Sequence, residues 1–389
     1  MFFLILALIS LSLVLSTYSL YYVLIYGAKN KVDEYLGDLQ RILETKTASV
    51  PNVTVIIPAY EEAKVIRRKL ANMASLEYPL DRMEILVVDD ASKDETAEIA
   101  ESAFLEHGLN GRVLRNRQRI GLNASLNVAI DAASNDIVCL TDSDVAFEKS
   151  ALRNVISVLE GMNKVGGVTG NISPSFNESN RVTQLEEGYR NFSNRSMLVE
   201  SFRHSAFPGS GVLTVFRRSV LTSLIPTDYG SSDGNLSISI IKGGYRFVYV
   251  PYADVYEPVP ESLSQHRLQK VRRAKRLIQV LIHNTDILFN KKYGEFGSVI
   301  FPLKFAMFVV CPTLIVIGSA SLIVFVVLSQ SIVLWALSMM SLVSVALSFM
   351  ISRRLANLLS GFVLHQVYLL IGLFSSFKKG VFWKKIDRK

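Results

Sequence analysis

The sequence predicts an α/β domain with a mixed, mostly parallel sheet, joined to a helical membrane region. Between about residues 50 and 260, short β-branched runs alternate with stretches of helical pattern, which is typical of βαβ units. Long uncharged apolar runs lie near both ends of the 389-residue chain. The mean hydropathy of +0.30 and the 20% of charged residues exclude a disordered chain.

The first apolar run, residues 1–26, is uncharged apart from the terminal amine. It is long enough to cross about 30 Å of hydrocarbon. Because it has no basic start and no small-residue cleavage site, we expect a retained anchor over residues 1–28 rather than a cleaved signal peptide. Four tyrosines followed by Lys29 and Lys31 predict that its far end lies in the cytoplasm.

The middle of the chain contains four predicted strands, and helix-patterned stretches separate them. The strands are expected at residues 53–57, 84–88, 112–115 and 136–140, and the helices at 63–73, 94–107 and 122–133. Ligands of open α/β sheets bind beyond the carboxyl ends of the strands. The residues at those ends are acidic or polar, and no glycine-rich phosphate loop follows any strand. This pattern disfavours a P-loop hydrolase and a Rossmann dehydrogenase.

The most informative strand end carries Asp142 and Asp144, one residue apart. Two carboxylates so placed can share one divalent cation, and hard oxygen ligands suit Mg²⁺ or Mn²⁺. Such a cation would neutralise a departing diphosphate. The alternative is a surface loop with two solvated acids.

Several motifs together resemble family 2 inverting glycosyltransferases. They are Val-Ile-Ile-Pro-Ala-Tyr-Glu-Glu at 55–62, Val-Val-Asp-Asp-Ala-Ser at 87–92 with Asp94, and Thr-Asp-Ser-Asp at 141–144. Pro-Gly-Ser-Gly at 208–211, before residues 215–218, is similar to the acceptor-side loop of the membrane-integrated branch, which includes cellulose and hyaluronan synthases. The resemblance covers about residues 52–275. It implies an α/β GT-A fold, a Rossmann-like domain with a mixed, mostly parallel sheet, attached to α-helical transmembrane segments.

The resemblance also implies roles for individual residues. Pro58, Tyr60 and Glu62 would hold the nucleoside, and Asp90 would meet the base. Arg119 would face the diphosphate, unless it is a solvated loop arginine. Asp142 would contact the donor sugar or ribose and, together with Asp144, bind Mn²⁺ or Mg²⁺.

Asp233 stands where these enzymes carry a catalytic aspartate. A sugar hydroxyl is a poor nucleophile at neutral pH and needs a base within hydrogen-bond reach, which a carboxylate can be. The alternative is that Asp233 caps the helical run at 234–242, a role compatible with catalysis.

Gln269, Arg272 and Arg273 stand where the family carries Gln-x-x-Arg-Trp, in an amphipathic stretch at 264–288. Arg272 would bind the donor diphosphate, and a basic helix lying on the cytoplasmic leaflet is the alternative. Arg273 replaces the family's tryptophan, and Ser232 replaces the first member of its acidic pair. Both departures weaken the case for a long polymer.

Three apolar runs, at 301–328, 331–351 and 355–377, precede a basic tail. Cations at the entrance of the first run and in the tail both favour the cytoplasmic side. Two ends on the same side require an even number of crossings between them, so we expect two of these three runs to span the membrane and 355–377 to be interfacial or re-entrant. With the N-terminal anchor this gives three spanning helices in all, and four is the alternative. The predicted divisions are a glycosyltransferase domain at 50–260, interface helices at 261–298, membrane helices at 299–377 and the tail at 378–389.

The sequence thus predicts an integral membrane enzyme, of the cell membrane, with a cytoplasmic catalytic domain. It would move a hexose, such as mannose, from a GDP- or UDP-linked donor to dolichyl or polyprenyl phosphate or to a lipid-linked saccharide. A processive polysaccharide synthase and a non-catalytic nucleotide-sugar-binding subunit are the alternatives. Because the basic residues adjoin membrane segments, membrane lipids rather than nucleic acid are the expected partners. Two cysteines give no disulfide framework.

Overall fold

The computed structural model describes residues 1–45, 50–176, 181–260, 262–336, 340 and 353–377. Its centre is one mixed sheet of eight strands. The strands are β1 (Val53–Ala59), β2 (Met83–Asp89), β3 (Gly111–Arg115), β4 (Ile137–Leu140), β5 (Ala146–Phe147), β6 (Val165–Ser175), β7 (Thr214–Arg217) and β8 (Arg246–Pro258).

The strand order is β3-β2-β1-β4-β7-β6-β8-β5. The first four strands in this order are parallel to their neighbours, and β7 lies antiparallel between β4 and β6. β8 then runs parallel to β6 and antiparallel to β5. The parallel half contains the four predicted strands, whose carboxyl ends meet at one edge of the sheet.

Helices cover the sheet and extend beyond it. In chain order they are α1 (Phe2–Tyr26), α2 (Lys29–Glu44), α3 (Ile66–Ala74), α4 (Thr96–Glu106), α5 (Leu122–Ala132), α6 (Ala151–Gly161), α7 (Arg181–Arg203), α8 (Ser232–Lys242), α9 (Leu263–His283), α10 (Phe296–Ser329) and α11 (Arg353–Ser376). α10 contains π-helical turns at Phe296–Ile300 and Ala306–Val310. The amphipathic stretch predicted at 264–288 is α9 followed by a short 3-10 turn.

Two of the described helices, α1 and α10, are long and apolar enough to cross a membrane. They pack along each other, and Gly318 of α10 permits a close approach, since a Cβ there would lie 3.0 Å from Leu11. Large apolar side chains on their outer faces are exposed, including Leu15 and Leu328. α11 contains a shorter apolar stretch, Ser360–Ser376. Most of the predicted run 331–351, and the tail at 378–389, lie outside the described residues, so the number of crossings and the domain limits stay predictions.

Both cysteines, Cys139 and Cys311, are buried and free. The interior of the domain is otherwise built from the apolar faces of the sheet, such as Val55, Ile57 and Val87, which are fully buried. This apolar core leaves the polar residues at the strand ends to form a site.

Candidate active site

The turns that follow β1 and β2 hold each other in place. Glu61 and Ala91 have left-handed backbones, with φ of 56° and 60°, which non-glycine residues adopt rarely and mostly at functional sites. The backbone N–H of Glu61 donates to the Ser92 hydroxyl at 2.8 Å, and that of Glu62 donates to the Thr96 hydroxyl at 2.9 Å. Part of the Asp-Asp-Ala-Ser motif therefore supports the neighbouring turn.

Asp90 organises the loop that leads into α5. Its Oδ1 accepts hydrogen bonds from the Asn116 side chain at 3.0 Å and the Ile120 N–H at 2.8 Å, and its Oδ2 accepts from the Gly121 N–H at 2.9 Å. Gly121 has a φ of +89°, which favours glycine, at the entrance to α5. Asp90 thus fixes the loop that carries Arg119.

Arg119 lies against Tyr60, with its guanidinium carbon 3.8 Å from the ring centroid. This is a cation–π contact. The two side chains come from different strand ends and together form one wall of a cavity, so Arg119 packs on the site rather than projecting into solvent.

The first cavity lies at the carboxyl ends of β1, β2 and β4. Its lining includes seven residues that the sequence singled out: Pro58, Tyr60, Glu62, Asp90, Arg119, Asp142 and Asp144. Gly121 and Ser125 also line it. Residues from four separate stretches of chain therefore meet in one place.

A buried lysine supports the acidic turn, residues 141–145, which carries Asp142 and Asp144. The ammonium of Lys69 donates to the Thr141 hydroxyl at 2.8 Å and to the Val145 carbonyl at 3.1 Å. These partners flank Asp142 and Asp144 on either side. Burial lowers the pKa of Lys69 to about 7, against the opposing effect of nearby negative groups that include Asp142.

The chemistry of Asp142 and Asp144 fits a divalent cation. Both present hard carboxylate oxygens to the cavity. The described part of the chain has no group of three or more His, Cys, Asp or Glu side chains placed so that together they could hold a metal ion. A cation held here would take its remaining ligands from water and donor phosphate oxygens, as Mg²⁺ commonly does.

A second cavity adjoins the first and shares Pro58, Leu122 and Asp142 with it. Asp233 lines this second cavity. The two cavities together thus bring Asp90, Asp142, Asp144 and Asp233 around one continuous site.

The proposed capping role of Asp233 is wrong. The N-cap of α8 is Ser231, whose backbone is extended and whose hydroxyl accepts from the Gly234 N–H at 3.2 Å. Asp233 lies in the first turn instead. Burial raises the pKa of Asp233, although hydrogen bonds from Ser231 and Gly234 and the charge of Arg273 oppose the rise.

None of the three residues predicted on α9 lines either of these two cavities. Gln269 is buried, and Arg273 donates to Glu257 at 2.5 Å. Arg272 lines a separate groove between α9 and α11. Burial lowers the pKa of Arg272 to about 10, and the neighbouring Arg276 adds to the effect.

The inner face of α9 also differs from the predicted lipid-facing helix. Lys270 pairs with Glu186 at 2.6 Å, and both side chains are buried. Leu268, on the outer face, is 65% exposed. The basic residues of α9 therefore divide between a buried ion-pair network and the groove.

The sequence reasoning missed two groups near the site, Lys69 and Arg276. Burial lowers the pKa of Arg276, and the carboxylates of Asp233 and Asp142 oppose this change. The guanidinium group of Arg276 is therefore close enough to interact with both carboxylates. Neither residue lies in a recognisable motif. The only sequence signal for Lys69 was a cation on the inward face of the predicted helix 63–73.

Comparison with known proteins matches residues 54–225 to the family described as Glycosyl transferase family 2. The chain is 29% identical over 233 residues to a probable glycosyltransferase, YdaM, of Bacillus subtilis, covering 58% of this chain and 55% of that protein. It is 27% identical over 236 residues to the poly-beta-1,6-N-acetyl-D-glucosamine synthase of Staphylococcus aureus, covering 60% and 56%. The chain thus spans just over half the length of these curated relatives.

Among solved structures, the chain is similar to the mannosyltransferase PcManGT of Pyrobaculum calidifontis in complex with GDP-Man and Mn²⁺. The TM-score is 0.69 at 23% identity, and the match covers 94% of this chain and 98% of that one. A structural similarity at 23% sequence identity shows that the two chains share a fold. Residues 54–225 therefore match glycosyl transferase family 2, and the chain has a GT-A fold with a mixed, mostly parallel sheet.

Proposed function

We propose that the protein transfers a hexose, with inversion, from a nucleoside diphosphate to a lipid-linked acceptor at the membrane surface. One observation carries this proposal. Four carboxylates surround two adjoining cavities within a family 2 domain, and apolar helices flank that domain. The retained acids and the continuity of the two cavities argue against a non-catalytic nucleotide-sugar-binding subunit.

The residues divide between donor and acceptor. The first cavity receives the nucleoside diphosphate, with Tyr60 and Arg119 on one wall and Asp142 and Asp144 on the other. Asp233 takes the proton of the acceptor hydroxyl while the hydroxyl oxygen attacks the anomeric carbon. The bond from that carbon to the diphosphate oxygen breaks on the opposite face, which inverts the configuration. A bound Mn²⁺ or Mg²⁺ would supply charge neutralisation of the leaving diphosphate.

GDP-mannose and UDP-linked sugars are the two donor classes to compare. The similar structure of PcManGT contains GDP-Man and Mn²⁺, and the S. aureus relative makes a polymer of N-acetylglucosamine. The PcManGT structure supports GDP-mannose as the donor and Mn²⁺ as the cation. The S. aureus relative supports the other candidate, processive synthesis from a UDP-sugar. Arg273 in place of the family's tryptophan favours a single transfer over processive synthesis.

The membrane placement follows from the apolar surface. Exposed side chains such as Leu15 on α1 and Leu328 on α10 need an apolar environment. The tyrosines and Lys29 at the end of α1 support a cytoplasmic position for the catalytic domain.

The test incubates membranes that contain the protein with labelled GDP-mannose, UDP-glucose or UDP-N-acetylglucosamine and Mn²⁺. We expect label from one donor to enter organic solvent. Label in an insoluble polymer would instead support a processive synthase, and no transfer of any label would support a non-catalytic subunit. Membranes that contain the Asp233→Asn variant are the matched control.

A further inference from the structure

A groove of about 590 Å³ lies between α9 and α11. One face of α9 forms most of it over four turns, from Ser264 to Gln279, and Ile371 lies on the opposite wall. Sixteen residues of helix give the groove a length of about 24 Å. Its volume is within the usual range for ligand sites.

The walls of the groove combine positive charge with apolar surface. Arg267, Arg272, Lys275 and Arg276 line it, and no carboxylate belongs to its described lining. Leu268, Val271 and Ile371 lie between and opposite these cations. Such walls complement a ligand that has an anionic head and a hydrocarbon chain.

One end of the groove lies beside the segment that precedes Asp233. Gln279 closes that end, where its side chain accepts from the Gly230 N–H at 3.1 Å and donates to the Ser376 carbonyl at 3.1 Å. Gly230 lies three residues before Asp233 in the chain. Arg276 is near enough to Asp233 and Asp142 to interact electrostatically with both. The other end, at Arg267 and Leu268, is exposed.

We propose that this groove binds the acceptor as a phosphate-bearing lipid, with the phosphate at the basic residues of α9 and the hydrocarbon along Leu268, Val271 and Ile371. The inference rests on the proposed function and adds the acceptor site to it. The lipid enters at the exposed end of α9, and the acceptor group arrives at Asp233. The cations of α9 then select an anionic lipid over a neutral one.

The test measures binding of farnesyl phosphate and of farnesol to the purified full-length protein in phosphatidylcholine nanodiscs, by calorimetry and without donor. We expect farnesyl phosphate to bind about tenfold or more tightly than farnesol, because a charged hydrogen bond contributes about that much. The double variant Arg267→Gln/Lys275→Gln loses this preference but binds GDP or UDP with Mn²⁺ as the unchanged protein does. Because no transfer occurs in this assay, its result is independent of whether the sugar-transfer experiment succeeds.

The matched control is Arg153→Gln/Lys164→Gln, which removes the same charges from exposed positions on α6 and the turn after it. Its preference for farnesyl phosphate should be unchanged. Equal binding of the phosphate and the alcohol would overturn the proposal. So would displacement of farnesyl phosphate by equimolar inorganic phosphate, which indicates a free-anion site, or by phosphatidylglycerol, which indicates a bulk-lipid site.

Discussion

Asp233 lines the cavity that shares Asp142 with the first, and the proposed function assigns its carboxyl group the role of base for the acceptor hydroxyl. Replacing it with Asn keeps the shape but removes the base. We expect Asp233→Asn to lower transfer to a sugar hydroxyl by about 10²- to 10⁴-fold and to leave donor affinity unchanged. Turnover assays and calorimetry measure the two effects. Normal turnover would indicate a phosphate acceptor or another base.

The pH dependence gives a second test of the same group. Burial raises the pKa of Asp233 above its ordinary value of 3.8. A base works only when it is deprotonated, so kcat/KM should fall on the acid side at a pH higher than an ordinary aspartate would give. A profile measured with Asp233→Asn should lack this acid limb.

Lys69 acts on the acidic turn without reaching the cavity lining. Its ammonium joins Thr141 to Val145, on the two sides of the carboxylates. Lys69→Met keeps the volume and removes both hydrogen bonds, so we expect donor binding in Mn²⁺ to weaken about tenfold. Asp144→Asn should weaken it further. Calorimetry compares these with Lys164→Met at an exposed turn. Equal donor affinity in Lys69→Met would show that the turn holds its shape alone.

At the scale of the elements, apolar runs in the sequence predicted β1 to β4 but gave no comparable signal for the other half of the sheet, where only the family resemblance indicated a strand at β7. Strands buried on both faces, such as β2, are continuous apolar runs in the sequence. β6 contains three glycines, Gly166, Gly167 and Gly170, and β8 is interrupted by polar residues, so neither gives a clear pattern. The glycines are explained only by distant contacts, since a Cβ on Gly167 would lie 2.6 Å from Ile240.

The site was predictable where its residues are adjacent in sequence. Asp142 and Asp144 follow one strand and could be assigned together. Lys69 lies 72 residues before its partner Thr141, and the interaction of Arg276 with Asp233 joins two helices. Such pairings depend on the tertiary fold, which local spacing does not specify.

The buried network beneath α9 fixes this helix to the catalytic domain. Glu257 binds Arg190 and Arg273, and Glu186 binds Arg190 at 3.0 Å and Lys270. Burial alone would raise the pKa of Glu257, but the two guanidinium groups outweigh burial and lower it. This contribution to stability is present above the ordinary carboxyl pKa and is lost as pH falls through the lowered value.

We therefore expect Glu257→Gln to release α9. The buried Arg190 and the half-buried Arg273 lose a counter-charge, which costs about 3–5 kcal/mol when a buried pair is broken. Hydrogen exchange should show faster exchange along α9, together with a lower unfolding temperature. Glu160→Gln is the matched control, because it breaks a surface pair with Arg217, worth about 0–1 kcal/mol. Unchanged exchange in α9 would show that apolar packing alone holds it.

At the scale of the whole molecule, one buried carboxylate joins both long apolar helices to the catalytic domain. Glu200 of α7 is fully buried and pairs with Lys304 of α10 at 2.8 Å. The Tyr21 hydroxyl of α1 donates to it at 2.6 Å, and the Phe207 N–H donates at 3.1 Å. Phe207 immediately precedes Pro208 of the predicted acceptor-side loop. The position of that loop is thereby tied to α1 and α10.

This junction predicts a specific pattern of coupling between α10 and the acceptor loop. Lys304→Met leaves the Glu200 charge buried without its cation, so we expect a loss of about 3–5 kcal/mol in stability and weaker binding of a lipid acceptor. Glu200→Gln in the same chain removes the uncompensated charge, so the double variant should recover part of the stability. Thermal unfolding in detergent measures the stability of the single and the double variant. If the two losses simply add, Glu200 and Lys304 do not act as a pair, and the catalytic domain must be positioned against α1 and α10 by apolar contacts alone.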